Sequence, residues 1–165
     1  MPYLHNMLYT DNYVFFWKNN TPFSNFYRKP FTYKGHRLLF SEQAFMLEKA
    51  ELFDKSMIDK IVHATRPDEA KQYGRQIKNY KDKIWASRRY QAMVDALTAK
   101  FQDSELKRIL LNTGDRILVE ASPYDRIWGI GLSEQSPFIY DEKNWKGQNL
   151  LGKALMEVRE KLKKA

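Results

Sequence analysis

The chain has 165 residues, of which 43% are hydrophobic and 15% aromatic; this content excludes a disordered protein and favours one globular domain over residues 1–165. The absence of cysteine excludes disulfides, thiol nucleophiles and cysteine-bound metals. The 28 lysines and arginines outnumber the 20 aspartates and glutamates and give a formal charge of +8, which permits a polyanionic partner.

The three histidines lie far apart in the chain, which argues against a zinc site. We predict neither a metal nor a cofactor, although carboxylates could hold magnesium. No apolar run is long enough to span a membrane, and the polar, aromatic N-terminus lacks a signal-peptide pattern. We therefore expect a cytoplasmic monomer without membrane contact, whose residues 1–10 form a loose segment.

Residues 12–17 are aromatic and β-branched and predict a buried strand, which the turn-rich residues 18–22 end. The loop Phe23-Ser24-Asn25-Phe26 follows. Its two rings could form a stacking surface for a planar heterocycle or ribose while Asn25 binds polar edges, or they could anchor the loop in the core. Residues 31–40 predict a β-hairpin with a turn at Lys34-Gly35.

Residues 41–49 predict the start of a helix that carries a paired acid and amine. Ser41 is the expected N-cap and Glu42 the first helical residue, where a carboxylate suits the helix dipole. The helical period of 3.6 places four residues along one stripe: Glu42, Phe45, Met46 and Lys49. The stripe is either a core-facing surface whose Lys49 reaches water, or a pocket wall where a desolvated, neutral Lys49 acts as nucleophile beside Glu42.

The middle of the chain predicts helices over residues 54–62, from Thr65 onward and over residues 82–101, with Asp54, Thr65 and Asp82 as caps. Gly74-Arg75 interrupts the second helix. Glycine lets another backbone or a ligand approach, and Arg75 either pairs with a phosphate or lies at a solvated helix end. Basic residues are concentrated here, on a solvated face or a phosphate-facing surface: Arg66, Lys71, Arg75, Lys78, Lys81, Lys83, Arg88 and Arg89.

The last third predicts a short helix over residues 104–111, a buried strand over residues 117–120 and a final helix that Asn149 enters. A turn at residues 121–125 leads to Trp128-Gly129, where glycine beside tryptophan suits an edge that faces a ligand. Asp125 either hydrogen-bonds ribose hydroxyls or closes that turn. The looser connection over residues 132–143 is interpreted as a lid or specificity insert. These elements indicate one α+β domain, mostly helical with a small β-sheet.

Three spaced motifs occur in order together with Trp128-Gly129: Phe23-Ser24-Asn25-Phe26; Ser41-Glu42-Gln43-Ala44-Phe45 with Lys49; and Trp145-Lys146-Gly147-Gln148-Asn149-Leu150-Leu151-Gly152 followed by Leu155-Met156-Glu157-Val158-Arg159. They resemble the YbiA-like family, also called NADAR, over nearly the whole chain, and the resemblance implies the fold of that family. Its members act as N-glycosidases. Some are described as cleaving ribosylamino intermediates of riboflavin synthesis, and others as removing ADP-ribose from guanine in nucleic acid.

The resemblance implies catalytic roles for Glu42, Lys49 and Asp125. In this scheme Lys49 attacks C1 of the distal ribose and forms a transient adduct, while Glu42 positions the amine and moves protons. The implied substrate-binding residues are Phe23, Ser24, Asn25, Phe26, Arg75, Trp85, Trp128, Gly129, Gly147 and Asn149. Without the resemblance, Trp85 would be interpreted as a core residue.

Two substrates remain open: ADP-ribosylated nucleic acid and a small phosphorylated ribosyl compound. The basic composition favours the first, because a riboflavin intermediate needs no extended cationic surface. A non-catalytic module that binds ADP-ribose or NAD is a further alternative. In many family members an acidic residue follows Trp-Gly, whereas Ile130 stands there in this chain, which leaves that alternative open.

Overall fold

The computed structural model describes residues 2–165. Its strands are short: β1 Tyr3–Leu4, β2 Met7–Tyr9, β3 Tyr13–Phe16, β4 Phe31–Tyr33, β5 His36–Leu38 and β6 Ile117–Glu120. Its α-helices are α1 Ser41–Phe53, α2 Ile58–Val62, α3 Pro67–Arg75, α4 Asp82–Lys100, α5 Ser104–Leu111 and α6 Leu150–Lys164, and short 3-10 helices cover Lys55–Met57 and Glu142–Asn144. The predicted α+β class, mostly helical with small sheets, is confirmed.

The described residues form two compact units. The first unit contains the residues up to Ser24 together with Ser104–Ala165, and the second unit is Asn25–Asp103. Whether residues 1–165 act as one domain stays a prediction. Among the described residues, no helix is both long enough and apolar enough to cross a membrane.

In the first unit, the described strands form a sheet in the order β1-β2-β3-β6. Strands β3 and β6 are parallel, with Tyr13 opposite Ile117. Phe15 and Val119 from these strands join a buried apolar cluster with Ala121, Ile130 and Ile139. Helix α6 packs on β6 so closely that a Cβ on Gly152 would lie 2.0 Å from the Leu118 carbonyl oxygen.

Residues 3–9 correct the prediction of a loose N-terminal segment. They form an antiparallel hairpin in which Tyr3 pairs with Leu8 and Leu4 with Met7. His5 and Asn6 make the turn with φ of 53° and 64°. A two-residue turn with both residues at positive φ matches the twist of the flanking strands, so it suits a hairpin. The sequence signal was weak because histidine is not a typical residue for such a turn.

In the second unit, α1 packs against α2, α3 and α4, and the β4–β5 hairpin packs against α4 and α1. The fully buried Gln43 connects these parts. Its Oε1 accepts hydrogen bonds from Leu39 N and Phe40 N, and its Nε2 donates to the carbonyl oxygens of Ile61, Val62 and Ala64. Gln43 therefore fixes the start of α1 to the end of α2.

The predicted helices are present, but three N-caps differ from the prediction by one residue: those of α1 and α4 lie one residue earlier than predicted, and that of α3 lies one residue later. The N-caps are Phe40, Arg66 and Lys81, so that Ser41 and Asp82 are the first helical residues of α1 and α4. At α1 the amide oxygen of Gln43, the third helical residue, reaches back and accepts from the N–H groups of Leu39 and Phe40, as in the second half of a capping box. At α3, Glu69 Oε1 accepts from Thr65 N in the same manner. Asp54 is correctly predicted as a cap, and it accepts from Ser56 N.

Candidate active site

Helix α1 carries the predicted acid and amine in the second unit. Glu42 lies in the first turn and is only 7% exposed, and Lys49 lies two turns later and is half-buried. The carboxylate of Glu42 interacts electrostatically with the Lys49 amine. The two residues therefore share a helix face, and neither projects freely into water.

The Lys49 amine has defined neighbours. Its Nζ donates to the Gly74 carbonyl oxygen at 3.0 Å and lies 4.7 Å from the centroid of the Tyr80 ring. Burial lowers the pKa of Lys49, and nearby Arg75 lowers it further, whereas the Glu42 carboxylate opposes both by stabilising the ammonium. The pKa lies below the usual lysine value, so the neutral amine forms more readily than on a surface lysine.

Asn25 supports the first turn of α1. Ser41 Oγ donates to Asn25 Oδ1 at 2.8 Å, and Glu42 N donates to the Asn25 backbone oxygen at 3.1 Å. The buried Lys100 Nζ lies 3.5 Å from Ser41 Oγ as a donor. Asn25 thus holds the backbone that carries Glu42, and its predicted contact with substrate stays a prediction.

The other predicted residues of the second unit have different surroundings. Trp85 is buried, with its ring centroid 5.1 Å from that of Phe45 on α1. Arg75 is exposed and ends α3 immediately after Gly74. Phe26 is half-buried, and Lys71 Nζ lies 5.9 Å from its ring centroid. Trp85 also lines a groove of about 500 Å³, together with Lys34, Glu48, Glu51, Leu52, Arg88, Gln91, Ala92 and Asp95.

In the first unit, Asp125 closes a turn. Its Oδ1 accepts from Ile127 N at 2.9 Å and from Trp128 N at 2.8 Å. Ser122 Oγ fixes the preceding residues by accepting from Tyr124 N and Asp125 N. The sequence left open whether Asp125 closes this turn or binds ribose. The structure shows the first role, and the second stays a prediction.

Gly129, Gly147 and Asn149 build the approach to α6. A Cβ on Gly147 would lie 2.2 Å from the Gly129 carbonyl oxygen, so only glycine fits there without a shift. Asn149 has a φ of 54°, donates from Nδ2 to the Leu118 carbonyl and accepts at Oδ1 from Glu120 N. Its side chain therefore binds the β6 backbone.

Phe23, Ser24 and Ile130 are buried in the first unit. The Phe23 ring packs edge-on against Phe16, with centroids 5.7 Å apart, as expected for a loop anchored in the core. Ile130 belongs to the apolar cluster around Phe15. An isoleucine after Trp-Gly is thus explained by packing in this chain.

Sequence reasoning missed two contacts of Lys49. Tyr80 lies between α3 and α4, outside the helical stripe, so periodicity gives it no role. The Gly74 carbonyl is a backbone group, and no residue pattern shows where it points. At Gly74 the group that comes close is a side chain of α1, not a second backbone: the Met46 Sδ atom lies 2.1 Å from the position of a Cβ at residue 74. The predicted approach of a ligand there stays a prediction.

Comparisons with known proteins agree with this fold. The NADAR domain family matches residues 15–163. The chain is 36% identical to the N-glycosidase R617 of Acanthamoeba polyphaga mimivirus, with 92% of this chain and 96% of that protein covered. It is 38% identical to the protein irg-1 of Caenorhabditis elegans, with 93% and 81% covered.

A solved structure supports the same assignment. The NMR structure of the Escherichia coli protein YbiA matches with a TM-score of 0.75 and 33% identity, and the match covers 94% of this chain and 88% of that one. The Escherichia coli sequence is named an N-glycosidase, and 85% of this chain aligns with it at 36% identity. The chain therefore belongs to the NADAR family, and like the N-glycosidases it resembles, it is a hydrolase.

Proposed function

We propose that the chain hydrolyses the N-glycosidic bond between ADP-ribose and a nucleobase, with guanine in DNA as the leading substrate. One observation carries the chemistry: a half-buried lysine amine lies on the same helix face as a buried carboxylate and has a lowered pKa. A glycosidic cleavage of this kind passes through an oxocarbenium-like state, which a nearby carboxylate stabilises and a nucleophile captures.

The proposed reaction has two steps. The neutral Lys49 amine attacks C1 of the distal ribose, the bond from C1 to the base nitrogen breaks, and that nitrogen keeps the electron pair. Glu42 passes a proton from the attacking amine to the leaving base. Water then attacks C1, Glu42 accepts its proton and passes it to the nitrogen of Lys49, and the Lys49 amine leaves in neutral form. The sum is one water consumed, with free base and free ADP-ribose released.

The surroundings of Lys49 support covalent attack over attack by a water molecule activated by Glu42. An exposed lysine would be almost wholly protonated near pH 7, since its reference pKa is about 10.4. Lys49 is half-buried, and both burial and Arg75 lower its pKa. Both effects favour the nucleophilic form, which the covalent step requires.

Charge supports a nucleic-acid substrate. The second unit contains 16 lysines and arginines against 10 aspartates and glutamates, so it holds six of the eight excess positive charges. The exposed lysines and arginines of that unit include seven from the basic stretch of residues 66–88: Arg66, Lys71, Arg75, Lys78, Lys81, Lys83 and Arg88. Such a surface suits a phosphate backbone, whereas a small ribosyl phosphate needs one anion site.

The test is release of free ADP-ribose from an oligonucleotide with ADP-ribosylated guanine, with a ribosylaminopyrimidine phosphate as the competing substrate. We expect Glu42→Gln and Lys49→Ala each to reduce release at least about 100-fold. Lys55→Ala serves as the control because Lys55 is an exposed lysine of the same unit, and this variant should match the wild type.

Two results would redirect the proposal. If the wild type spares the oligonucleotide and hydrolyses the pyrimidine, the substrate is the metabolite and the chemistry of Glu42 and Lys49 stands. If the wild type binds both compounds and cleaves neither, the chain is a binding module and the proposed chemistry is wrong.

A further inference from the structure

Tyr80 lies directly against the Lys49 amine. Lys49 Nζ is 4.7 Å from the Tyr80 ring centroid, within the range of a cation–π contact. The ring packs edge-on against Phe53 at the end of α1, with centroids 5.4 Å apart. Its hydroxyl donates to Asp82 Oδ1 at 2.7 Å. Contacts at both ends of the side chain therefore fix a ring that is still 40% exposed.

The loop that carries Tyr80 is itself held in place. Asp54 Oδ2 accepts from Lys78 N at 3.0 Å, and Asn79 has the positive φ of 62° that turns the chain toward Tyr80. The Gly74 carbonyl oxygen also accepts a hydrogen bond from Lys49 Nζ. A carbonyl oxygen and an aromatic face, each at a fixed position, thus define where the Lys49 amine rests.

We propose that Tyr80 is a positioning residue for Lys49: its ring holds the ammonium against the Gly74 carbonyl until substrate takes its place. This inference rests on the proposed function, because it assigns Tyr80 a role through the amine that attacks. A π face and a carbonyl both stabilise the charged form of lysine. The resting amine is therefore aligned and protected, and it must lose a proton before it reacts.

The charged groups that act on Lys49 and Tyr80 come from α1, α3 and α4. Glu42 on α1 and Arg75 on α3 act on the Lys49 amine in opposite directions. Asp82 at the start of α4 binds the Tyr80 hydroxyl, and burial and this hydrogen bond raise the pKa of Tyr80, while Arg89 acts in the opposite direction. The raised pKa keeps the Tyr80 hydroxyl protonated near neutral pH, and its ring contributes through its π face.

The test compares Tyr80→Leu, which keeps an apolar cover without a π face, with Tyr80→Phe, which keeps the ring and loses the hydroxyl. Competitive acetylation at a series of pH values, read by peptide mass spectrometry, gives the pKa of Lys49 without any substrate. We expect Tyr80→Leu to lower this pKa by about half a unit or more and Tyr80→Phe to leave it close to that of the wild type. Circular dichroism melts identify a variant that fails to fold.

The same variants are then assayed for release of ADP-ribose. In the profile of kcat against pH, we expect the acidic limb of Tyr80→Leu to move to lower pH and its plateau to fall. Tyr80→Phe should keep the limb and the plateau of the wild type. A merely structural role would lower the plateau without moving the limb. An unchanged Lys49 pKa in a folded Tyr80→Leu protein would overturn the inference, and so would an equal shift in both variants. The labelling needs no turnover, so it tests the role of Tyr80 even if the proposed function is wrong. A wild type that releases no ADP-ribose would contradict the proposed function alone.

Discussion

Two lysines of the second unit show how burial lowers the pKa of an amine. Lys49 is half-buried, whereas Lys100 is only 1% exposed and places its Nζ 3.5 Å from Ser41 Oγ at the start of α1. Burial lowers the pKa of Lys100 from 10.5 to about 7. Desolvation disfavours a charged amine in both cases, but only Lys49 lies on the helix face of Glu42.

The lowered pKa of Lys100 predicts a pH-dependent stability. Between about pH 7 and pH 10.5 the unfolded chain binds a proton at Lys100 that the folded chain lacks. Raising the pH through this window therefore favours the folded state. We expect the Tm of the wild type to rise relative to that of Lys100→Met from pH 7 to pH 10, and a constant difference would contradict the lowered pKa.

At the residue scale, the sequence predicted that an acid and an amine share a face of α1, but it predicted only part of their surroundings. Helical spacing put Glu42 and Lys49 on one face, because that spacing depends only on the 3.6-residue period. Whether Lys49 was desolvated could not be predicted, since its burial comes from α3 and from the Tyr80 loop. Asn25 shows the same limit: its amide was interpreted as a substrate contact, and the structure uses it to hold Ser41.

At the element scale, the contact between α1 and α3 depends on a glycine. The Met46 Sδ atom occupies the space that a side chain at residue 74 would need, and the Gly74 carbonyl also binds Lys49. The sequence predicted both helices, α1 from its helical stripe and α3 from the signals at its start. It could not predict their mutual approach, which depends on the side chains of the partner.

We predict that Gly74→Ala destabilises the protein by up to about 2 kcal/mol. Alanine favours a helix by about 1 kcal/mol over glycine, but forcing a methyl group into a packed site costs typically 1–3 kcal/mol. In a Met46→Ala background the overlap is absent, so Gly74→Ala should there be neutral or stabilising. Urea unfolding of the four proteins measures this coupling, and the same cost in both backgrounds would contradict it.

At the scale of the whole molecule, strands from distant parts of the sequence pair in the first unit. β3 and β6 lie about a hundred residues apart in the chain and pair in parallel, and α6 packs on β6. The sequence predicted both strands as buried. Their pairing was not predictable, because short apolar strands carry little register information.

The uneven charge of the two units predicts a salt-dependent affinity for DNA. Lys78→Ala with Lys81→Ala removes two exposed cations of the second unit, and Lys161→Ala with Lys164→Ala removes two from the end of α6 as a matched control. For a single-stranded oligonucleotide, each lost phosphate contact should reduce the slope of log affinity against log salt by about 0.7. We expect the first pair to reduce the slope and the second to leave it unchanged. An equal reduction of the slope in both double variants would show that DNA binding depends on total charge and not on a defined surface of the second unit.

The chemistry at Lys49 is tested most directly by trapping its adduct. The wild type is mixed with the ADP-ribosylated guanine oligonucleotide and cyanoborohydride. The ring-closed adduct at C1 opens reversibly to an imine between Lys49 and ribose, which cyanoborohydride reduces, and the labelled peptide is mapped by mass spectrometry. We predict that ADP-ribose is attached to Lys49 in the wild type and that Lys49→Ala yields neither adduct nor product. Release of ADP-ribose by Lys49→Ala at the rate of the wild type, with no trapped adduct in either protein, would contradict this account.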